Sequence, residues 1–162
     1  MNTRAKGYDR LGLVGFLVLC GVISATGGWV TASSVDTWFK TLVKPAFNPP
    51  DWVFAPVWTV LYILIAISGW RVWRQHRFSE TAPALIVYAI QLALNLAWSI
   101  LFFGMQRLDL AAMEIVLLLA MIALNLVMFL RIDKPAGLLL LPYLLWVAFA
   151  TVLTLRIWQL NG

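Results

Sequence analysis

Residues 110–130 read LAAMEIVLLLAMIALNLVMFL, an apolar run in which Glu114 is the single charge. A helix needs about 20 predominantly apolar residues to cross the roughly 30 Å hydrocarbon layer of a bilayer. This run has that length, and reading outward from it finds four more, near residues 11–33, 52–70, 82–103 and 136–158. The whole chain of 162 residues is 62% apolar and 12% charged, where soluble domains are about 45–50% and about 25%. That excess needs lipid rather than a larger core. The expected fold is an all-α membrane protein, a bundle of five transmembrane helices with a first loop rich in proline and aromatic residues, in which one domain uses residues 1–162.

Arg4, Lys6 and Arg10 precede the first run as the n-region of a signal peptide would. The run stays apolar well past the usual length of such a segment, and Leu19 is bulky where lipoprotein processing before Cys20 wants a small residue, so it reads as a span. Cys20 is the only cysteine. It excludes an internal disulfide and a thiolate metal site, and packs as a small hydrophobe. The net charge of +5 comes from cations that flank spans and form no basic groove for nucleic acid. Their distribution sets orientation instead. Arg4, Lys6, Arg10, Arg71, Arg74, Arg77, Arg131 and Lys134 fall on one side, and Lys40, Lys44, Arg107 and Arg156 on the other. The richer side is expected inside, with the N-terminus cytoplasmic and the C-terminus outside.

Three of the four connections are short, as in an up-and-down bundle. Residues 34–51 differ: Pro45, Pro49 and Pro50 stand among Trp38, Phe39 and Phe47, giving a stiff, apolar loop that must fold back onto something. Asp36 is expected to cap a short helix over residues 37–43, with Trp38 and Leu42, and Phe39 beside them, on one side. That makes a lid over one mouth of the bundle. Pro142 lies inside the fifth run and predicts a kink that opens space between helices, freeing the carbonyl of Leu138. Pro56 sits near the start of the second span, where Asp51 is expected to cap the first turn.

In the third span Gln91, Asn95 and Ser99 recur at i, i+4 and i+8 and share one helical face. Amides in hydrocarbon need partners. The stripe is either interhelical glue or the polar handle of a ligand pocket, and the residues alone leave both open. About 200° round the same helix, Ala89, Ala93 and Ala97 form a small-residue ridge, which lets helices approach closely and points to a homodimer. Gly21 with Ala25, and Ser24 with Gly28, offer similar surfaces in the first span. Of nine tryptophans, Trp29, Trp52, Trp70, Trp73 and Trp158 lie near span ends, where an interfacial belt accounts for them. Trp58, Trp98 and Trp146 lie deeper, where an indole N–H wants an acceptor from a neighbour or a ligand.

Enzyme chemistry finds little to work with. His76 is the only histidine and lies in a charged, solvated segment. No zinc cluster, nucleophilic triad or phosphate loop is legible, so no catalytic or metal residue is assigned. Glu114, one turn into its span, reads as reaching the interface or serving the helix dipole rather than relaying protons.

The loop and second span read Trp38-Phe-Lys-Thr-Leu-Val-Lys44-Pro45-Ala-Phe47-Asn-Pro49-Pro50-Asp-Trp52-Val-Phe-Ala-Pro-Val-Trp58-Thr-Val-Leu61-Tyr62. The third span gives Gln91-Leu-Ala-Leu-Asn95-Leu-Ala-Trp98-Ser99-Ile-Leu-Phe102-Phe103, and the fifth Pro142-Tyr143-Leu-Leu-Trp146-Val-Ala-Phe149-Ala150-Thr151-Val-Leu153. Three separated motifs in this order resemble the TspO/MBR family of tryptophan-rich sensory and translocator proteins, over nearly the whole chain. The resemblance implies a five-helix bundle whose first loop caps a pocket. It implies binding of porphyrins, haem, sterols and synthetic isoquinoline-type ligands, with no cofactor required and protoporphyrin or haem as the candidate ligand. Ligand contacts carry over to Phe39, Pro49, Trp58, Asn95, Trp98, Ser99, Trp146, Ala150 and Leu153. Asn95 and Trp58 would make polar contacts, and Trp98, Trp146, Ala150 and Leu153 would shape the wall. The chain departs from the family's pattern at Phe47, where many members have tryptophan, at Thr154, where asparagine is common, and in residues 153–156, which lack the tyrosine of a C-terminal sterol motif.

The function expected is therefore a receptor- or sensor-like protein of a bacterial membrane that binds tetrapyrroles, and in some settings sterols, between its helices. A tetrapyrrole transporter and a light-dependent porphyrin-degrading enzyme are the alternatives. The chain lacks the paired discontinuous helices and buried charges of many secondary transporters, and Phe47 weighs against tryptophan-dependent photochemistry.

Overall fold

The computed structural model describes residues 3–75 and 78–162. His76 and Arg77, read above as a solvated histidine and an orienting cation, lie outside them. Helix α1 (Thr3–Ala32) is followed by the short α2 (Trp38–Thr41), a 3-10 turn (Asp51–Val53) and α3 (Phe54–Trp73). Helix α4 (Phe78–Ser99) continues into a π-helical turn (Ile100–Gly104), and then come α5 (Leu108–Ile132), α6 (Lys134–Leu139) and α7 (Leu141–Asn161). Among the described residues five stretches are long and apolar enough to cross a membrane: Lys6–Ala32, Asp51–Trp73, Ser79–Gly104, Leu108–Ile132 and Lys134–Asn161. These are the five runs read from the sequence. The first begins earlier than expected because Arg10 interrupts hydropathy but not backbone hydrogen bonding.

The prolines act differently from expectation. Pro142 does not kink a continuous helix: the fifth span breaks at Leu140, whose N–H bonds to the carbonyls of Gly137 and Leu138, and Pro142 opens α7. A first-turn proline removes an N–H that has no intrahelical acceptor anyway, so starting a helix there is cheaper than bending one. Asp51 caps nothing, since it lies within the 3-10 turn that leads into α3, with Pro50 at the cap position. Asp36 does not cap α2 either. Thr37 holds the cap position without a side-chain bond, and Asp36 pairs with Lys40 one turn on, at 3.1 Å.

The opposite end, away from the first loop, is fastened by a polar joint. Arg71 makes two hydrogen bonds to the carboxylate of Asp133, at 2.7 and 3.3 Å, and the same carboxylate caps α6 by accepting from the Ala136 N–H at 3.2 Å. Nearby, the hydroxyl of Ser68 donates to the carbonyl of Ala136 at 2.7 Å. The core between these ends is filled by Ile65, Tyr88, Ile122, Phe129 and Tyr143, with Tyr88 stacked on Phe129. Cys20 is buried in it, as expected of a small hydrophobe.

Helix α1 is peripheral: 6% of its apolar window is buried, against 28–33% for the other spans. Its N-terminal half packs on α3. There the Trp70 indole donates to the carbonyl of Asp9 at 2.8 Å, and Trp73 packs on Phe16 and against Gly12. Trp70 and Trp73, at their span end, thus also form a helix joint, while Trp29 and Trp52 are strongly exposed. Its C-terminal half leans on α4 instead. A β-carbon on Gly27 would lie 3.5 Å from Ser99 Oγ, one on Gly104 would lie 3.2 Å from Val30, and Ser34 Oγ donates to the Phe103 carbonyl at 2.8 Å.

Candidate functional site

The halves of α1 diverge from α3 to α4 at the end that carries the first loop, and the bundle there encloses a cavity of about 430 Å³. That is within the roughly 300–1,000 Å³ typical of small-molecule sites. The loop-side ends of every long helix line it: Ser24, Gly27, Gly28 and Thr31 of α1, Trp58 and Tyr62 of α3, Asn95, Trp98 and Ser99 of α4, Ile115 and Leu118 of α5, and Trp146, Ala150 and Leu153 of α7. Phe102 and Phe103 line it from the π turn. In that turn the N–H of Met105 reaches the carbonyl of Ile100, five residues back, at 2.7 Å. The wider turn places Phe102 against Trp98, ring centroids 5.0 Å apart and nearly parallel. π turns recur at functional sites because they redirect side chains in this way.

The first loop closes the top. Phe39 of α2 is buried against Phe102 and Phe103, with Trp38 edge-on to Phe102 and Leu42 packed on the same cluster. The Lys44 ammonium lies 4.5 Å over the Phe39 ring. Further along, Phe47 meets Phe149 and Phe54 meets Trp146. Proline stiffens the loop, but these aromatic contacts seat it.

The floor is polar. Tyr62 donates to Asn95 Oδ1 at 3.2 Å, Asn95 Nδ2 donates to the Tyr143 hydroxyl at 2.7 Å, and Tyr143 donates to Gln91 Oε1 at 2.7 Å. The chain links α3, α4 and α7 through buried side chains. Gln91 is interhelical glue, while Asn95 both binds helices together and faces the cavity. The two readings of the stripe meet at one residue. In the wall, Trp98 Nε1 is buried and finds no hydrogen-bond partner in the protein.

Of the nine residues that the family resemblance assigned, Phe39, Trp58, Asn95, Trp98, Ser99, Trp146, Ala150 and Leu153 line this one cavity, and Pro49 does not. Pro49 stays half-buried within the first loop. The sequence reading missed the α1 wall. Its signal was present in Ser24 and Gly28, which were read as a packing surface. Tyr62 was also missed, although a tyrosine one turn after Trp58 shares its face. Ala89 and Ala93 are exposed on the outside of α4, and Ala97 is half-exposed. Glu114 does not reach the interface: both carboxylate oxygens are buried and unpartnered, because the residue lies on the inner face of α5 near Ile115 and Leu118.

Comparison with known proteins agrees with the geometry. The TspO/MBR family model matches residues 16–159. The chain is 44% identical to a tryptophan-rich protein TspO of Chlorobaculum tepidum, over 88% of this chain and 91% of that one. It is 40% identical to the tryptophan-rich protein TspO of Archaeoglobus fulgidus, over 94% and 98%, and 37% identical to the translocator protein of Bos taurus, over 91% and 89%. A five-span bundle, the three aromatic motifs at one cavity and similarity along almost the whole length lead to one conclusion: the chain belongs to the TspO/MBR family.

Proposed function

We propose that this protein is a membrane receptor or sensor that binds porphyrin- or haem-type tetrapyrroles, and other flat hydrophobic ligands such as sterols or isoquinolines, in the cavity beneath the first loop. The observation that carries the reading is a cavity of about 430 Å³ walled by Trp58, Trp98, Phe102 and Trp146 above the polar floor of Asn95 and Tyr62. Aromatic walls favour large flat rings through offset stacking and edge contacts. The described lining holds no histidine, cysteine or methionine, and the hydroxyl of its Tyr62 is engaged with Asn95, so a haem is held mainly by ring contacts, which serve metal-free protoporphyrin as well.

Titration of the purified protein with protoporphyrin, followed by tryptophan quenching, tests this. Saturable quenching is expected, weakened about fivefold or more in Trp98→Ala, which removes a ring from the wall, and weakened also in Trp146→Phe. Non-saturable quenching, identical in the variants, contradicts it.

The ridge of exposed Ala89 and Ala93 and half-exposed Ala97 supports a homodimer through α4, since small residues allow backbone approach in lipid. Ala93→Phe is expected to convert a cross-linkable dimer in vesicles into monomer, and unchanged cross-linking rejects that interface. Cation placement supports a cytoplasmic N-terminus, which accessibility of a cysteine introduced at Gly7 tests.

A further inference from the structure

We infer that the cavity opens sideways into the bilayer through a wedge between α1 and α3, and that membrane-dissolved ligands reach it by this path rather than beneath the first loop. The inference rests on the proposed binding function and gives it a route.

The wedge follows from the way α1, which touches Tyr88 of α4 through Phe16 and Cys20, keeps α4 but parts from α3 toward the loop. Near its start it is locked to α3 by the Trp70–Asp9 bond and the Trp73–Phe16 contact. Past Ser24 it is held by α4 and the π turn, through Gly27 against Ser99 and Ser34 on Phe103. Among the described residues no hydrogen bond or ring contact ties this half to α3. Gly28 and Ala32 of α1, Ala55 and Thr59 of α3, and Asp36 and Asp51 at the loop end are exposed, yet all six also line the cavity. Residues that belong at once to the surface and to the cavity mark its mouth. A β-carbon on Gly28 would meet nothing within 4 Å, so the opening there has room.

The helix side of the rim suits hydrocarbon, while Asp36 and Asp51 stand at its loop end, toward the membrane surface. Thr59 Oγ1 donates to the carbonyl of Ala55 at 2.8 Å, and Thr31 Oγ1 donates to that of Gly27 at 2.8 Å. A hydroxyl folded onto its own helix is satisfied without water and presents its methyl group outward. Gly28 and Ala55 stand one turn, and Thr59 two turns, inside the loop-side ends of the spans Lys6–Ala32 and Asp51–Trp73, so the mouth opens toward the bilayer side of the bundle. The first loop itself is held down by polar bonds. Asn161 clasps Val43 from α7, and Ser34 holds Phe103. Lifting the loop breaks these bonds and exposes the Phe39 cluster, whereas sideways passage breaks none of them. A flat apolar molecule also concentrates in the bilayer, where this mouth lies.

The test is stopped-flow binding and release of protoporphyrin by protein reconstituted in phosphatidylcholine vesicles, read by tryptophan quenching and its recovery. Gly28→Leu/Thr59→Leu fills the mouth with side chains that lipid tolerates. Both rates are expected to fall about tenfold or more, as for an obstructed gate, and adding Asn161→Ala is expected to leave them slow. Thr59→Phe alone is expected to act in the same direction, which covers poor folding of the double variant. Rates within about twofold of wild type in the filled protein, or slow rates restored by Asn161→Ala, place the route beneath the loop and overturn the inference while binding stands. Absence of saturable quenching in the wild type overturns the binding function and the route with it.

Discussion

Asn161 holds the backbone of Val43 by both its groups: Oδ1 accepts from the Val43 N–H at 2.8 Å, and Nδ2 donates to the Val43 carbonyl at 2.8 Å. The last turn of α7 thereby fixes the first loop over the cavity, across 118 residues of sequence. Each neutral hydrogen bond is worth about 1 kcal/mol. Asn161→Ala is expected to raise hydrogen exchange across residues 38–48 by about tenfold while the melting temperature changes little. Unchanged exchange in that segment means the aromatic contacts alone hold the loop.

Asn95 and Tyr143 are coupled through the 2.7 Å bond in the cavity floor. Hydrogen bonds between membrane helices average about 0.6 kcal/mol, with a maximum near 1.7. This one is shared in a chain with Tyr62 and Gln91, so a double-mutant cycle of Asn95→Leu and Tyr143→Phe is expected to give a coupling of about 1 kcal/mol. Additive single effects contradict the network.

The spans, the lid and most of the cavity wall were legible in the sequence, because apolar run length, proline placement and i, i+4 periodicity depend on few neighbours. What was not legible depends on which helix faces which. Ser24 and Gly28 read equally as packing or as cavity wall until α1 is seen leaning on α4. Trp70 and Trp73 sit where a belt is expected, and only the approach of Asp9 and Phe16 makes them a joint. Pro142 reads as a kink because one run of hydropathy covers both α6 and α7. Glu114 reads as snorkelling because distance from a span end says nothing of the inward face on which it lies.

Asp133 serves two elements, binding Arg71 and capping α6. A charged bidentate bond and a helix cap together are worth about 2 kcal/mol at this half-buried site. Asp133→Ala is expected to lower stability by that amount, and Asp133→Asn to recover part of it through the cap. Equal stability of Asp133→Ala and wild type, measured by unfolding in detergent, removes the joint.

Glu114 buries both carboxyl oxygens without a partner. An unsatisfied buried polar group costs about 1–3 kcal/mol, so Glu114→Leu is expected to raise the melting temperature. A lowered melting temperature shows instead that the carboxyl has a role in holding the fold.

The central claim is that the cavity beneath the first loop is the ligand site. It is tested most directly by photo-crosslinking a diazirine-substituted protoporphyrin to the protein in vesicles and mapping the labelled peptides. Labelling is expected at residues 54–62, 95–103 and 146–154, competed by unlabelled protoporphyrin. Labelling spread over the exposed faces that carry Val116, Leu117 and Leu124, without competition, would contradict it.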